Sequence, residues 1–412
     1  MENAVQTTSS RYKIYPVAMV LGAGVGAVAA AFLWAILTLK DFIWRQHGHS
    51  EKALLVFGVC TAGGLLVGLL NHTAERKRAK AHDFNEALND AAELADNAPP
   101  SSLVIAGRAL LGVVSLGFGG PLGPEAPILA AVTQLSARLA AVLRISRTQA
   151  VHLSMSGALG ALFAAPLATV GVEDMQKDYE STLARVKRIG PEILAGATAL
   201  VVFVKLLPSS GSHPFESVGD IPPGMTINLL WCAVAAVLAA LVGRLSGDLV
   251  PVVRTFAISR LPGGVLPIGI VSGVVLGIGA VITPLVLFSG HHETQALLDG
   301  NYATGELVGI AALKVFVVVV CLAGGWYGGQ IFPVAFAGAA VALAFGHVVH
   351  SPSTLALTGA GYVAANVVNL RKPLLVLVIF MLFFPPSAWL AMVIAAGVAT
   401  VFIPEGDKGP VH

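Results

Sequence analysis

From Tyr15 to Ile403 the chain is a succession of apolar stretches, several long enough to cross a lipid bilayer, beginning with Tyr15 to Leu39 and Ala53 to Leu70. In a hydrocarbon core about 30 Å thick every backbone N–H and C=O needs a partner within the protein, which leaves only α-helices and closed barrels. Barrel strands alternate polar and apolar residues over about ten positions, whereas Val315 to Val320 is continuously apolar. The expected fold is an all-α integral membrane protein. Of the 412 residues 56% are hydrophobic and 12% charged, against roughly 25% charged in soluble domains, so an ordinary soluble domain is excluded. The first apolar run is too long for a cleavable signal and shows no small-residue cleavage site, so it is expected to remain as a span. Cys60, Cys232 and Cys321 lie far apart in apolar segments and read as packing residues, with no disulfide framework or metal cluster expected. Basic residues gather at Arg76, Lys77, Arg78 and Lys80 and again at Lys177, Arg185, Lys187 and Arg188; these are expected to face the cytoplasm. No nucleic acid, metal or cofactor is expected.

A polar stretch containing Pro214, Pro222 and Pro223 divides the apolar segments into two sets. The expected organisation is a cytoplasmic N-terminus over 1–12, a first transmembrane half over 13–207, a linker over 208–225, a second half over 226–403, and a short tail over 404–412 without room for a regulatory domain. Among the expected spans are 226–245 and 263–288. The polar connection from Asn71 to Pro100 carries Ala87, Leu88, Ala91, Ala92 and Leu94 at helical spacing, which predicts a short surface helix there.

Two interruptions break the apolar pattern. In the first half Gly117-Phe118-Gly119-Gly120-Pro121-Leu122-Gly123-Pro124-Glu125-Ala126-Pro127 combines glycines, prolines and an acid. In the second, Gly324 to Pro333 includes Gly328-Gly329-Gln330-Ile331-Phe332-Pro333. Non-helical backbone at membrane depth survives only where protein or a water-filled cavity surrounds it, and paired breaks in two halves point to a repeat transporter with its site where the breaks meet. Pro124 suits the start of a helix, and the glycines at 328 and 329 deliver the chain into another, so two helix N-termini are expected to offer N–H groups to one anion near the midplane. Such a site without a full cation binds weakly enough to release. Glu125 would act there as a tethered anion, competing when ionised and withdrawing when protonated. The alternative is a tight bend with Glu125 capping a helix at a membrane face; for 328–333 it is close helix packing through glycine.

Gly123-Pro124-Glu125-Ala126-Pro127 resembles the G-x-E-G-P element of the CLC family of chloride channels and proton-coupled anion exchangers. Three further blocks agree in order: Ser156 to Ala168 followed by Glu173-Asp174-Met175, then Gly328 to Pro333, then Gly359 to Ala365 with Arg371-Lys372-Pro373-Leu374. The resemblance covers roughly 15–403. It implies a CLC-type inverted repeat with many tilted and broken helices and a homodimer with one pathway per subunit. It further implies exchange of chloride or a related small anion for protons across the plasma membrane, of a bacterial inner-membrane kind, and no enzymatic activity. By that resemblance Glu125 is the gating glutamate. Asp174 or Glu173 stands on the proton pathway, or the two form an acidic helix end facing the basic stretch 177–188. Gly123, Pro124, Gly328, Gly329, Gln330, Ile331 and Phe332 bind the anion. A passive channel of the same fold, or a homologue without transport, are the competing expectations.

The chain also departs from the family. Near 79–85, where the family carries G-S-G-I-P, it reads Lys80-Ala81-His82-Asp83-Phe84-Asn85, with no matching serine, and with nine residues after Ile403 the family's final helix with its anion-coordinating tyrosine is expected to be missing. Gln330 either bonds a permeating anion or caps its own helix. Lys314 pairs with an acid, attracts anions, or snorkels to an interface. His291-His292-Glu293 is expected in a solvent-exposed loop.

Overall fold

A computed structural model describes residues 14–44, 53–76, 83–94, 97–166, 182–207, 228–351 and 353–403, with the side chains of 74–76 and 182–188 excepted. Glu173, Asp174, the 208–225 connection and the 1–12 and 404–412 termini lie outside the described residues, as does most of the expected 79–85 element. The helices are α1 (Ile14–Trp44), α2 (Ala53–Arg76), α3 (Phe84–Glu93), α4 (Ser102–Gly117), α5 (Glu125–Leu139), α6 (Arg147–Phe163), α7 (Thr182–Leu206), α8 (Leu229–Arg260), α9 (Val265–Ile282), α10 (Glu293–Asp299), α11 (Thr304–Ala323), α12 (Ile331–Val348), α13 (Thr354–Leu370), α14 (Pro373–Met381) and α15 (Trp389–Ala399). Among the described residues seven helices, α1, α2, α7, α8, α9, α11 and α12, are long and apolar enough to span a bilayer. Others, such as α5 with 15 residues and α14 with nine, are too short to cross alone.

The described residues group into two compact units that interleave along the chain. The first draws on Met1–Ala35, Phe84–Ala109 and Glu125–Ser212. Here Gly22 and Gly26 of α1 lie on Ala195 and Ala199 of α7, and a Cβ on either glycine would collide with the facing carbonyl oxygen. In lipid, where burying apolar surface separates nothing from water, such close backbone approach supplies the packing energy. Ala18, Leu21, Leu153 and Ala195 form the core beside it. The Asn71–Pro100 connection does form a helix, α3. Its Phe84, Ala87, Leu88 and Ala91 are buried, packed on α5, so the periodic apolar face is covered by protein.

The second unit draws on Ile36–Asp83, Leu110–Pro124 and His213–His412. Gly64 of α2 approaches Gly269 and Gly273 of α9, the same small-residue device, and this pair is the most extensive helix contact of the unit. α8 and α12 pack on α13, which is buried on every side. Two expected spans end elsewhere. The helix begun near 226 continues to Arg260 through an internal Pro251, and the 263–288 span stops at Ile282. Pro284 explains the second case: its ring disfavours helical geometry at Thr283, which is extended, with φ −151° and ψ 128°, and caps a single 3-10 turn, Pro284–Val286, through its side chain.

Candidate functional site

Both breaks sit within the second unit as far as Pro124, and they are joined by backbone. Gly123 N–H donates to the Gly329 carbonyl and Gly329 N–H to the Gly123 carbonyl, each at 2.8 Å, a two-residue antiparallel bridge. Glycine at 328 is needed for this approach, because a Cβ there would lie 2.6 Å from Leu122 Cβ and 3.0 Å from the Gly123 carbonyl oxygen.

Several further groups of the breaks find partners within the protein, as membrane depth favours. Trp44 Nε1 donates to the Gly117 carbonyl at 3.0 Å, and Phe288 N–H to the Gly119 carbonyl at 3.2 Å. Gly120 N–H returns to Ser115 at 2.9 Å. Tyr327 N–H donates to Ser115 Oγ at 3.0 Å, Trp326 Nε1 to Ser272 Oγ at 2.9 Å, and Asn71 Nδ2 to the Gly325 carbonyl at 2.8 Å. The first loop is thus held by Trp44 and by backbone bonds, the second by polar side chains of several helices.

Gly123 stands two residues before Glu125, the first residue of α5, and Gly329 two before Ile331, the first of α12. Glu125 is 1% exposed. The first-turn N–H groups of an 18-residue helix such as α12 have no intrahelical partner, so its start carries partial positive charge. Gln330 is the N-cap but its side chain makes no capping bond. It is 3% exposed, and Oε1 finds no hydrogen-bond partner among the described residues. The capping alternative for Gln330 is thus not realised. Ile331 and Phe332 are buried with it.

Other residues beside this junction carry little sequence signal. The expectation of a solvent-exposed His291-His292-Glu293 loop is corrected: His292 is exposed, but the His291 ring packs edge-on against Phe332 with centroids 4.7 Å apart and against Phe383 at 5.6 Å. Burial pushes the His291 imidazole down to about 3, because the neutral form tolerates loss of water better. Phe332, Phe380 and Phe383 extend this aromatic cluster to Tyr362, whose hydroxyl bonds Thr294 Oγ1. Lys314 is corrected too: it does not snorkel and, among the described residues, forms no ion pair with a carboxylate, but is fully buried with its Nζ among backbone carbonyls. Glu173 and Asp174 lie outside the described residues.

The profile of the family described as Voltage gated chloride channel matches residues 63–403. The chain belongs to this family. Among its relatives, "Putative ion-transport protein YfeO" of Salmonella schwarzengrund (strain CVM19633) is 26% identical over 353 residues, 83% of this chain and 82% of that protein. The Salmonella newport (strain SL254) protein of the same description matches to the same extent. A CLC-type fluoride/proton antiporter superimposes with a TM-score of 0.75 at 17% identity, over 94% of each chain. A slow cyanobacterial Cl-/H+ antiporter gives 0.79 at 17%, over 97% of this chain and 96% of its own. The all-α, multi-pass membrane architecture is that of CLC proteins, with the broken helices the sequence predicts.

Proposed function

We propose that the protein exchanges a small inorganic anion, chloride or a related ion, for protons along a pathway that passes the Gly123–Gly329 bridge, with Glu125 as its gate. The observation carrying this reading is that bridge, which joins the two chain breaks by backbone hydrogen bonds immediately ahead of a 1% exposed glutamate. An acid in such a place is costly unless it is used. Gly123, Pro124, Gly328, Gly329, Gln330, Ile331 and Phe332 form the anion-binding segment, in which backbone N–H groups and the Gln330 amide supply donors without a fixed cation. Protonation of Glu125 removes its competing charge, linking proton and anion occupancy. Asp174 or Glu173 hands on the protons.

Structural relatives described as fluoride/proton and Cl-/H+ antiporters support exchange over passive conduction. The protein is proposed to work as a homodimer in a bacterial inner membrane. Reconstitution into liposomes with a panel of anions, following anion efflux and proton uptake together, tests the reading. Exchange predicts that an anion gradient drives protons uphill; anion flux with no dependence of its reversal potential on pH would instead establish a passive channel.

A further inference from the structure

Lys314 lies mid-way along α11 and is fully buried. Its Nζ is surrounded by four successive carbonyl oxygens of one segment: Leu285 at 3.3 Å, Val286 at 3.1 Å, Leu287 at 3.1 Å and Phe288 at 2.7 Å. The Phe336 ring centroid lies 5.1 Å away. Three N–H donors facing four acceptors suit an ammonium ion. Carbonyls curled around a point charge are also how proteins replace the hydration shell of a bare monovalent cation.

The segment that supplies these carbonyls has a second attachment. Phe288 adopts φ +55°, in the left-handed region, and its N–H donates to the Gly119 carbonyl at 3.2 Å. Its ring meets Lys40 Nζ at 3.7 Å and the edge of Trp44 at 5.5 Å, and Trp44 in turn donates to the Gly117 carbonyl. The 285–288 strap is thus fastened to the first break on one side. Through Lys314 it is fastened on the other to α11, the helix that runs into the second break.

We infer that the Leu285–Phe288 strap is a cage for a monovalent cation the size of ammonium or potassium, which Lys314 fills from within, and that this tethered cation is a positioning residue holding the first break against α11. The inference stands apart from the role of Glu125, since its primary readout is stability.

Lys314→Ala empties the cage, whereas Lys314→Met blocks it with an uncharged chain. Each variant and the wild type would be purified and melted in ammonium, potassium and N-methyl-D-glucamine salts of one anion. Lys314→Ala is expected to melt at least about 5 °C higher in ammonium or potassium than in N-methyl-D-glucamine, with the wild type unmoved and Lys314→Met lowered in all three. Anion efflux from liposomes by Lys314→Ala should be about tenfold or more slower without the small cation, as expected when a site's supporting loop shifts. Equal melting of Lys314→Ala in all salts, no folded Lys314→Ala in any of them, the same salt shift in the wild type, or Lys314→Met as stable as the wild type would each overturn the inference.

Discussion

Asp174 and Glu173 are adjacent acids, and only one of them needs to hand on a proton. Substituting Asp174→Asn and Glu173→Gln separately is expected to abolish coupled proton uptake in one case and leave it near wild type in the other, with anion efflux retained in both; proton uptake surviving in both variants would remove the pair from the pathway. His291 gives a second expectation with a defined sign. Its pKa is pushed down to about 3 in the folded protein against about 6.5 unfolded. Between these values the unfolded chain binds more protons, so stability rises with pH there and is lost as pH falls below about 6.5. The melting temperature of the wild type should therefore decline on acidification through that window more steeply than that of His291→Gln. Identical pH profiles would contradict the burial of this imidazole. Glu125 was legible from sequence because an acid among glycines and prolines in an apolar run breaks a strong rule. His291 was not, since a histidine beside another histidine and a glutamate reads as a polar loop, and its contact with Phe332 bridges residues distant in sequence.

The two breaks were legible as interruptions, but not the way in which they hold each other. Proline and glycine announce where helices stop. The Gly123–Gly329 bridge depends on a register between segments some 200 residues apart, which local pattern does not encode, and the same is true of Asn71, Ser115 and Ser272, which look like ordinary helix residues until their partners are seen. Helix ends were blurred wherever proline acts differently by position: Pro251 is accommodated within α8, while Pro284 ends the α9 segment. Gly328→Ala tests the bridge as a unit. Its Cβ would lie 2.6 Å from Leu122 Cβ, forcing the breaks apart at a cost of about 1–3 kcal/mol. Transport in liposomes should fall about 100-fold with protein still folded and extractable, whereas Gly305→Ala, where a Cβ meets nothing within 4 Å, should transport normally. Equal rates for the two variants would show that the bridge does not shape the pathway.

The arrangement of the chain as a whole follows from hydrocarbon as solvent: apolar helices satisfy their own backbone, and small residues let them approach. That much was written in composition and spacing; the CLC resemblance lay in the motifs around Glu125 and Gly328, and the match over residues 63–403 makes it a membership. The interleaving of two compact units along the chain was not, because it arises from contacts between non-consecutive helices. The central claim is that Glu125 links anion passage to proton movement, and it is tested by measuring chloride or fluoride efflux and proton uptake in the same liposomes for wild type and Glu125→Gln. The neutral amide should keep anion efflux and abolish proton uptake. Proton uptake persisting in Glu125→Gln alongside anion efflux would contradict the account.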